Sequence, residues 1–128
     1  MSYVRFQTGL RCRDTGRALG IFAAAARVEE KKAIQPWFEK PLKDTLGWFN
    51  KNLRVPKSDN IPWRCLFWFD CDSSEVIGYV WDLINCLEQH DVFVESRKCN
   101  DPGKIIYRDC HQVAAIPSQT TYRFLKLK

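Results

Sequence analysis

The sequence predicts the α+β class, with a mixed, mostly antiparallel sheet of four to five strands and three helices arranged in two layers. Three observations indicate this class. Short segments rich in β-branched and aromatic residues open the chain and recur through its second half. Three longer segments repeat apolar residues at helical spacing. Proline, glycine and asparagine separate the segments, which gives the order β-α-α-β-α-β-β-β. We expect residues 1–117 to form one compact domain and residues 118–128 to form an edge strand or an arm.

A strand over residues 3–8 and a helix that ends near residue 32 are predicted first. Apolar and polar residues alternate in YVRFQT, as they do in a half-buried strand. After Gly9, Asp14 or Thr15 can cap the helix, whose run of alanines has high helix propensity. The predicted apolar stripe of this helix consists of Leu19, Phe22, Ala23 and Ala26.

The next region is predicted to form a short turn over residues 36–40 and a helix over residues 41–53. Pro36 and Pro41 divide it, because a proline is tolerated in the first turn of a helix but not in its interior. Apolar residues recur in the helix at intervals of four, three and four, which predicts one buried face. That face consists of Leu42, Leu46, Phe49 and Leu53.

The second half of the chain is predicted to form a strand, a helix and three strands. The segment WRCLFWF is apolar on both faces, which is typical of a central strand covered on both sides. The sequence NDPG is a strong turn signature and predicts a hairpin between the strands that flank it. The predicted bounds are 63–69 for the first strand, 73–90 for the helix, and 91–98, 104–109 and 111–116 for the last three strands.

The composition predicts a folded chain with an uneven charge distribution. Of the 128 residues, 45% are hydrophobic and 13% aromatic, which is enough for a packed core and excludes a disordered chain. The net charge is +5, but residues 1–64 hold 13 Lys or Arg and 6 Asp or Glu, whereas residues 65–128 hold 7 and 9. Two oppositely charged solvated faces would explain this distribution. Alternatively, a basic surface in the first half attracts phosphate groups or an acidic partner.

The six cysteines do not predict a disulfide framework, because a chain of this length can be stabilised by its core alone. The segment ALGIFAAAA follows three arginines and is similar to a signal peptide, but a predicted strand precedes it. No apolar run approaches the roughly 20 residues that cross a bilayer. We therefore expect a cytoplasmic protein with reduced cysteines and no membrane segment.

An acidic step, Asp70-Cys71-Asp72, follows the apolar run CLFWF. A hydrophobic strand that ends in Asp-x-Asp resembles the nucleophile motif of the haloacid dehalogenase-like phosphatases. This resemblance is confined to one short stretch. It implies that Asp70 attacks phosphorus, that Asp72 acts as acid and base, and that both carboxylates help to hold magnesium.

The same residues also have a structural interpretation. The stretch from Asp72 to Glu75 has the spacing of a capping box, in which Asp72 or Ser73 accepts hydrogen bonds from the free amides of the following helix. The predicted hairpins do not match the doubly wound sheet of the phosphatase family. We therefore favour a helix cap over catalysis at this step.

Cysteine and histidine residues of the second half are candidate zinc ligands. Cys86 and His90 are four residues apart on a predicted helix, and Cys99, Cys110 and His111 follow. The spacings are irregular and contain no Cys-x-x-Cys pair, so we predict no metal site and no cofactor. Neighbouring side chains such as those of Cys110 and His111 usually point apart, which argues against a Cys-His nucleophile.

Basic and aromatic residues of the first half are candidates for binding an anion or a nucleic acid. The loop GLRCRDTGR lies between a predicted strand and a predicted helix, where free amides and the helix dipole attract anions. Two tryptophans lie near lysines around the second helix, an arrangement that can stack bases. Tryptophans that pack in the core and arginines that point into solvent are the interpretation we favour. The candidate binding residues are Arg11, Arg13, Arg17, Lys40, Lys43, Trp37 and Trp48.

These observations favour a small protein-binding or adaptor domain without catalysis. The predicted contact with a protein partner uses the aromatic surface of the second helix or the C-terminal arm. A nucleic-acid- or phosphate-binding protein that uses the basic first half is the alternative. A small metal-dependent phosphoryl-transfer enzyme centred on Asp70 and Asp72 is the third interpretation.

Overall fold

The computed structural model describes residues 2–14, 16–30, 36–53 and 65–124. Within these ranges the backbone forms six strands and four helices. The strands are β1 (Tyr3–Arg11), β2 (Ala18–Gly20), β3 (Leu66–Asp70), β4 (Val94–Cys99), β5 (Lys104–Arg108) and β6 (Gln112–Ile116). The helices are α1 (Ile21–Glu30), α2 (Pro36–Asn52), α3 (Ser74–Gln89) and α4 (Gln119–Phe124).

Strand β1 organises the sheet, because it pairs with three other strands. Its first six residues pair with β4 along one edge. On the other edge, Tyr3 and Val4 pair with β3, and β2 pairs with β1 from Gln7 onward. The sheet continues from β3 to β6 and β5. The predicted α+β class is confirmed. Every pairing that the structure describes is antiparallel, so the expected parallel component is replaced by antiparallel pairing of β1.

The sheet is curved. Strands β4 and β5 lie on opposite sides of β1 and are four strand positions apart. In a flat sheet about 19 Å would separate them. The five residue steps from Cys99 to Lys104 reach at most about 18 Å. Consistent with a curl, the guanidinium of Arg108 on β5 lies 5.9 Å from the ring centre of Tyr3 on β1.

The curved sheet has an apolar cluster on each face. The smaller cluster contains Trp68, which is completely buried, together with Tyr3, Leu66 and Val113. The larger cluster fills the space between the other face and the helices α1, α2 and α3. Its most deeply buried side chains include Val80, Leu83 and Leu87 of α3.

Aromatic contacts join the helices to one another. The ring of Trp48 on α2 is stacked on Tyr79 of α3, with 3.8 Å between the ring centroids. The rings of Phe22 on α1 and Phe49 on α2 meet edge to face at 5.0 Å. Among the described helices, none is long and apolar enough to cross a membrane.

The predicted start of the first helix is wrong. A helix from Asp14 or Thr15 was expected, but Ala18–Gly20 form β2 and α1 begins at Ile21. Pairing with β1 satisfies the backbone here, and Gly16, whose φ is +71°, lies in the connection. The predicted stripe is therefore displaced. The buried residues of α1 are Ile21, Ala24, Ala25 and Val28.

The second helix is longer than predicted. A turn was expected over residues 36–40, but α2 is continuous from Pro36 to Asn52 and contains Pro41. Burial of Leu42 and Phe49 stabilises the helix on the C-terminal side of this proline and offsets its local cost of about 3 kcal/mol. The predicted apolar face is confirmed, with Leu46 only partly buried.

The predicted hairpin around NDPG is also wrong. Strand β4 pairs with β1, and β5 pairs with β6. The turn residues therefore connect opposite sides of the curved sheet. This connection is determined by the pairing of β4 with β1, which is distant in sequence, and of β5 with β6 on the other side of the sheet. The helix over residues 73–90 is confirmed, since α3 differs from it by one residue at each end.

The C-terminal segment, predicted as an edge strand or arm, contains the short helix α4. The hydroxyl of Ser118 accepts a hydrogen bond from the backbone N–H of Thr121, three residues later, as in an N-cap. Thr121 also donates to the carbonyl of Asp101 and so attaches α4 to the connection before β5. Residues 125–128 lie outside the described ranges.

We predict that Gly103→Ala destabilises the protein by more than about 3 kcal/mol. The φ of Gly103 is +111°, and a Cβ atom there would overlap the carbonyl oxygen of Ile116. Gly16→Ala is the matched control, because its φ is also positive but no atom lies within 4 Å of the added Cβ. We expect it to cost about 1 kcal/mol. Urea unfolding measures both, and equal losses would contradict the role of the Ile116 contact.

Candidate functional site

A cavity of about 690 Å³ lies between α1, α2 and the sheet. Its floor includes residues of β1, β3 and β6, and its walls come from the two helices. Most of the lining residues are apolar. Those from the sheet and the adjoining start of α1 include Phe6, Ile21, Phe22, Leu66, Phe67, Trp68 and Phe69.

Arg5 lies in the floor, where the sheet is interrupted. On this edge of β1, the described pairs with β3 end at Val4 and those with β2 begin at Gln7. The guanidinium of Arg5 occupies the break. Its Nη1 donates to the carbonyl of Phe67 at 3.2 Å, and its Nε donates to Gln7 Oε1 at 3.1 Å. The carbonyl of Phe67 thus receives from a side chain the bond that a neighbouring strand would supply.

The position of Arg5 leaves a cation at the base of an apolar cavity. The residue is 9% exposed. Burial lowers the pKa of its guanidinium to about 10, so the group stays charged at neutral pH. Among the described residues no carboxylate lies within ion-pair distance of it. A buried cation without a counter-ion costs free energy unless another group compensates it.

Small residues on the helices leave the cavity open. Ala23 and Ala26 of α1 line it, and so does Gly47 of α2, at which an added Cβ atom would meet nothing within 4 Å. Phe67 is 37% exposed. The exposed polar side chains of the lining lie at the surface; they are Glu29, Lys43 and Asn50.

Gln112 is the second buried polar side chain among the described lining residues, and it is hydrogen-bonded to Asp109. The Asp109 carboxylate accepts hydrogen bonds from the Tyr107 hydroxyl, the His111 amide, and both the amide and side chain of Gln112, at 2.8 to 3.2 Å. Burial raises the pKa of Asp109, but these hydrogen bonds outweigh it and the net pKa is lowered.

The predicted anion-binding arginines lie elsewhere. Arg11 is the last residue of β1, and Arg13 and Arg17 lie in the connection to β2. Arg11 and Arg13 are exposed, and Arg17 is half-buried. The carbonyl of Arg11 accepts a hydrogen bond from Arg27 of α1. These three arginines are not among the described residues that line the cavity.

The predicted lysines and tryptophans of α2 have partners within the protein. Lys40 pairs with Asp44, and Lys43 pairs with Glu39, each at 2.8 Å and one helical turn apart. Trp48 is stacked on Tyr79 of α3, so one of its faces is occupied. The side chain of Trp37 lies outside the described part of the structure.

The acidic step forms a turn at the start of α3. Asp70 Oδ1 accepts a hydrogen bond from the amide of Asp72 at 2.9 Å, and Asp72 is exposed. Ser73 is the N-cap residue, but its side chain makes no capping bond. Its hydroxyl donates instead to the carbonyl of Cys110 and lies 3.4 Å from His111 Nδ1. The predicted capping box is therefore wrong, although the helix begins where it was expected.

The cysteines lie on different elements of the fold. All six belong to the described residues, and none is in a disulfide. Burial raises the pKa of the Cys71, Cys86 and Cys99 thiols, which keeps them protonated at neutral pH. In the described ranges, no group of three or more His, Cys, Asp or Glu side chains could hold a metal ion.

Sequence reasoning missed Arg5 and Phe67 as candidate site residues. In the predicted first strand Arg5 is one of the polar residues that alternate with apolar ones, which places it on a solvated face. The sequence contains a signal that could have revealed the cavity, since Ala23, Ala26 and Gly47 are small residues on two consecutive helices.

No family model, curated protein or solved structure matches this chain.

We predict that Asp109→Asn lowers the free energy of unfolding by about 1 kcal/mol at pH 7, because an amide nitrogen cannot accept the Tyr107 and Gln112 hydrogen bonds. The folded-state pKa of Asp109 lies below its ordinary value of 3.8, so the ionised carboxylate stabilises the fold above that pH. This stabilisation is lost as the pH falls through the folded-state value. The difference between the two proteins, measured by urea unfolding from pH 7 to pH 3, should therefore shrink in acid. A difference that is constant over this range would exclude the role of the charge.

Proposed function

We propose that this protein is a binding domain without catalysis and that it takes an apolar ligand into the cavity between α1, α2 and the sheet. The observation that carries the proposal is the cavity of about 690 Å³ with a mainly apolar lining. Sites for small molecules in proteins are concave, mostly apolar and roughly 300 to 1,000 Å³ in volume, with few polar groups.

The packing around the cavity supports a binding site. The cavity opens to solvent at its helical walls, where the lining residues Ala23, Ala26 and Gly47 are exposed. Larger side chains at these positions could close the space, and an added Cβ atom at Gly47 would meet nothing within 4 Å. A ligand that buries its apolar surface here would cover the apolar lining.

The chemistry of the lining favours binding over catalysis. Among the described lining residues, the buried polar side chains are those of Arg5, which stays protonated, and Gln112, which does not titrate. Neither group can act as a general base near neutral pH. Asp70 and Asp72, the centre of the third interpretation from the sequence, are not among the described lining residues.

A protein partner, which the sequence predicts, is the second candidate. The rings of Trp81 on α3 and Phe93 before β4 favour it, because they are 53% and 67% exposed. Such aromatic side chains are frequent anchors in protein interfaces. The sequence predicted this contact at the aromatic surface of α2 or at the C-terminal arm. Both surfaces favour a protein partner less, since Trp48 of α2 is stacked on Tyr79 of α3 and residues 119–124 form α4.

We predict that Gly47→Phe weakens binding of the neutral fluorescent probe N-phenylnaphthylamine at least about tenfold, because the new ring occupies the cavity. Gly78→Phe is the matched control. Gly78 is also an exposed helical glycine with nothing within 4 Å of an added Cβ, but it is not among the lining residues. Both substitutions replace glycine in a helix and raise its helix propensity equally, so a difference in probe affinity between the two variants does not come from helix stability. Fluorescence titration measures the affinity. Equal affinity in the two variants, or no binding to the parent protein, would overturn the proposal.

Nucleic-acid binding, the alternative from the sequence, gives a different result. We expect neither single-stranded nor double-stranded probes to bind at low salt, because Lys40 and Lys43 are paired with carboxylates and Trp48 is stacked on Tyr79. Fluorescence anisotropy at increasing salt tests this, since counterion release makes such binding steeply salt-dependent. Salt-sensitive binding that is lost when Arg11, Arg13 and Arg17 are replaced by Gln would establish the alternative.

A further inference from the structure

We infer that the ligand of the cavity is a small apolar carboxylic acid whose carboxylate binds the guanidinium of Arg5. This inference rests on the proposed function and adds the chemical class of the ligand. It depends on three features of Arg5: its unused donors, its place in the cavity and its charge.

The hydrogen bonds of Arg5 leave part of the guanidinium unused. The group carries five N–H donors. Its bonds to Gln7 Oε1 and to the carbonyl of Phe67 use Nε and Nη1. Its Nη2 atom has no hydrogen-bond partner among the described residues and lies beside Gly20, 3.9 Å from the position of an added Cβ atom. Gly20 and Arg5 both line the cavity, so a ligand can approach this side of the guanidinium.

The charges around the cavity favour an anion at its base. Arg5 is the buried charge of the described lining, and its buried neighbour Gln112 is neutral. The acidic residue of the lining, Glu29, is exposed. An anion bound at Arg5 would compensate the cost of burying the cation, and a charge-assisted hydrogen bond in an apolar site is stronger than one in water.

The donors of Arg5 favour a carboxylate as the anionic group of the ligand, and the cavity lining determines the character of the rest of the ligand. A carboxylate has two coplanar oxygens that match the planar guanidinium. A phosphate carries more charge and more acceptor oxygens, which the one buried cation of the described lining leaves unsatisfied. The aromatic and aliphatic walls exclude a polar remainder, so the rest of the ligand is a hydrocarbon chain or an apolar ring system.

The experiment compares dodecanoate with dodecyl alcohol, two probes that share an apolar chain and differ in charge. Their affinities for the full chain are measured by displacement of N-phenylnaphthylamine. We expect dodecanoate to bind at least about tenfold more tightly than the alcohol. In Arg5→Met this preference should disappear while the alcohol still binds. Arg13→Met is the matched control, because Arg13 is exposed on the β1–β2 connection and should leave the preference unchanged.

A second measurement tests the contact between the carboxylate and Arg5 in the parent protein, so it can be made even if Arg5→Met fails to fold. Dodecanoate labelled with carbon-13 at its carboxyl group is titrated with acid while bound to the parent protein and followed by NMR. Contact with the guanidinium should lower the pKa of the bound carboxyl below that of the free acid. An unshifted or raised pKa, or equal affinity for acid and alcohol, overturns the carboxylate inference and leaves the proposed function intact. Failure of the neutral probe to bind overturns the proposed function itself.

Discussion

The guanidinium of Arg5 fills a break in the sheet, and the candidate site depends on this arrangement. Strand β1 pairs with β3 at its beginning and with β2 farther along the same edge, and no described pairing covers the residues between them on this edge. A main-chain carbonyl left there without a donor would cost about 1 to 3 kcal/mol. Arg5 donates to the carbonyl of Phe67 and places a positive charge where the cavity begins.

The break and the cavity have a common origin in the β1–β2 hairpin. Because Ala18–Gly20 pair with β1, α1 begins only at Ile21 and its buried stripe is Ile21, Ala24, Ala25 and Val28. Ala23 and Ala26, which belonged to the stripe predicted to be buried, are instead exposed and line the cavity. The placement of a three-residue strand thus decides which side of a helix is available to a ligand.

Hydrogen-bond partners from distant parts of the chain explain why local motifs predicted the wrong contacts. The stretch from Asp72 to Glu75 has the spacing of a capping box, yet the Ser73 hydroxyl donates to Cys110, which belongs to the β5–β6 turn. Within the turn signature at residues 100–103, the Gly103 amide donates to the Asp101 carboxylate, but the stretch joins strands on opposite sides of a curved sheet. In each case, contacts with residues that are remote in sequence, and not the local motif, determine the structure.

Local periodicity determined the α+β class, the bounds of α3, the buried face of α2 and the existence of β1, because each depends on residues within one element. The displaced start of α1, the pairing of β4 with β1 and the curvature of the sheet were decided by the tertiary structure. The same is true of the cavity. Arg5 looks like an ordinary polar residue of a strand, and only the meeting of β1, β2 and β3 buries it. Strand pairing depends on long-range contacts, which the spacing of residues along the chain does not encode.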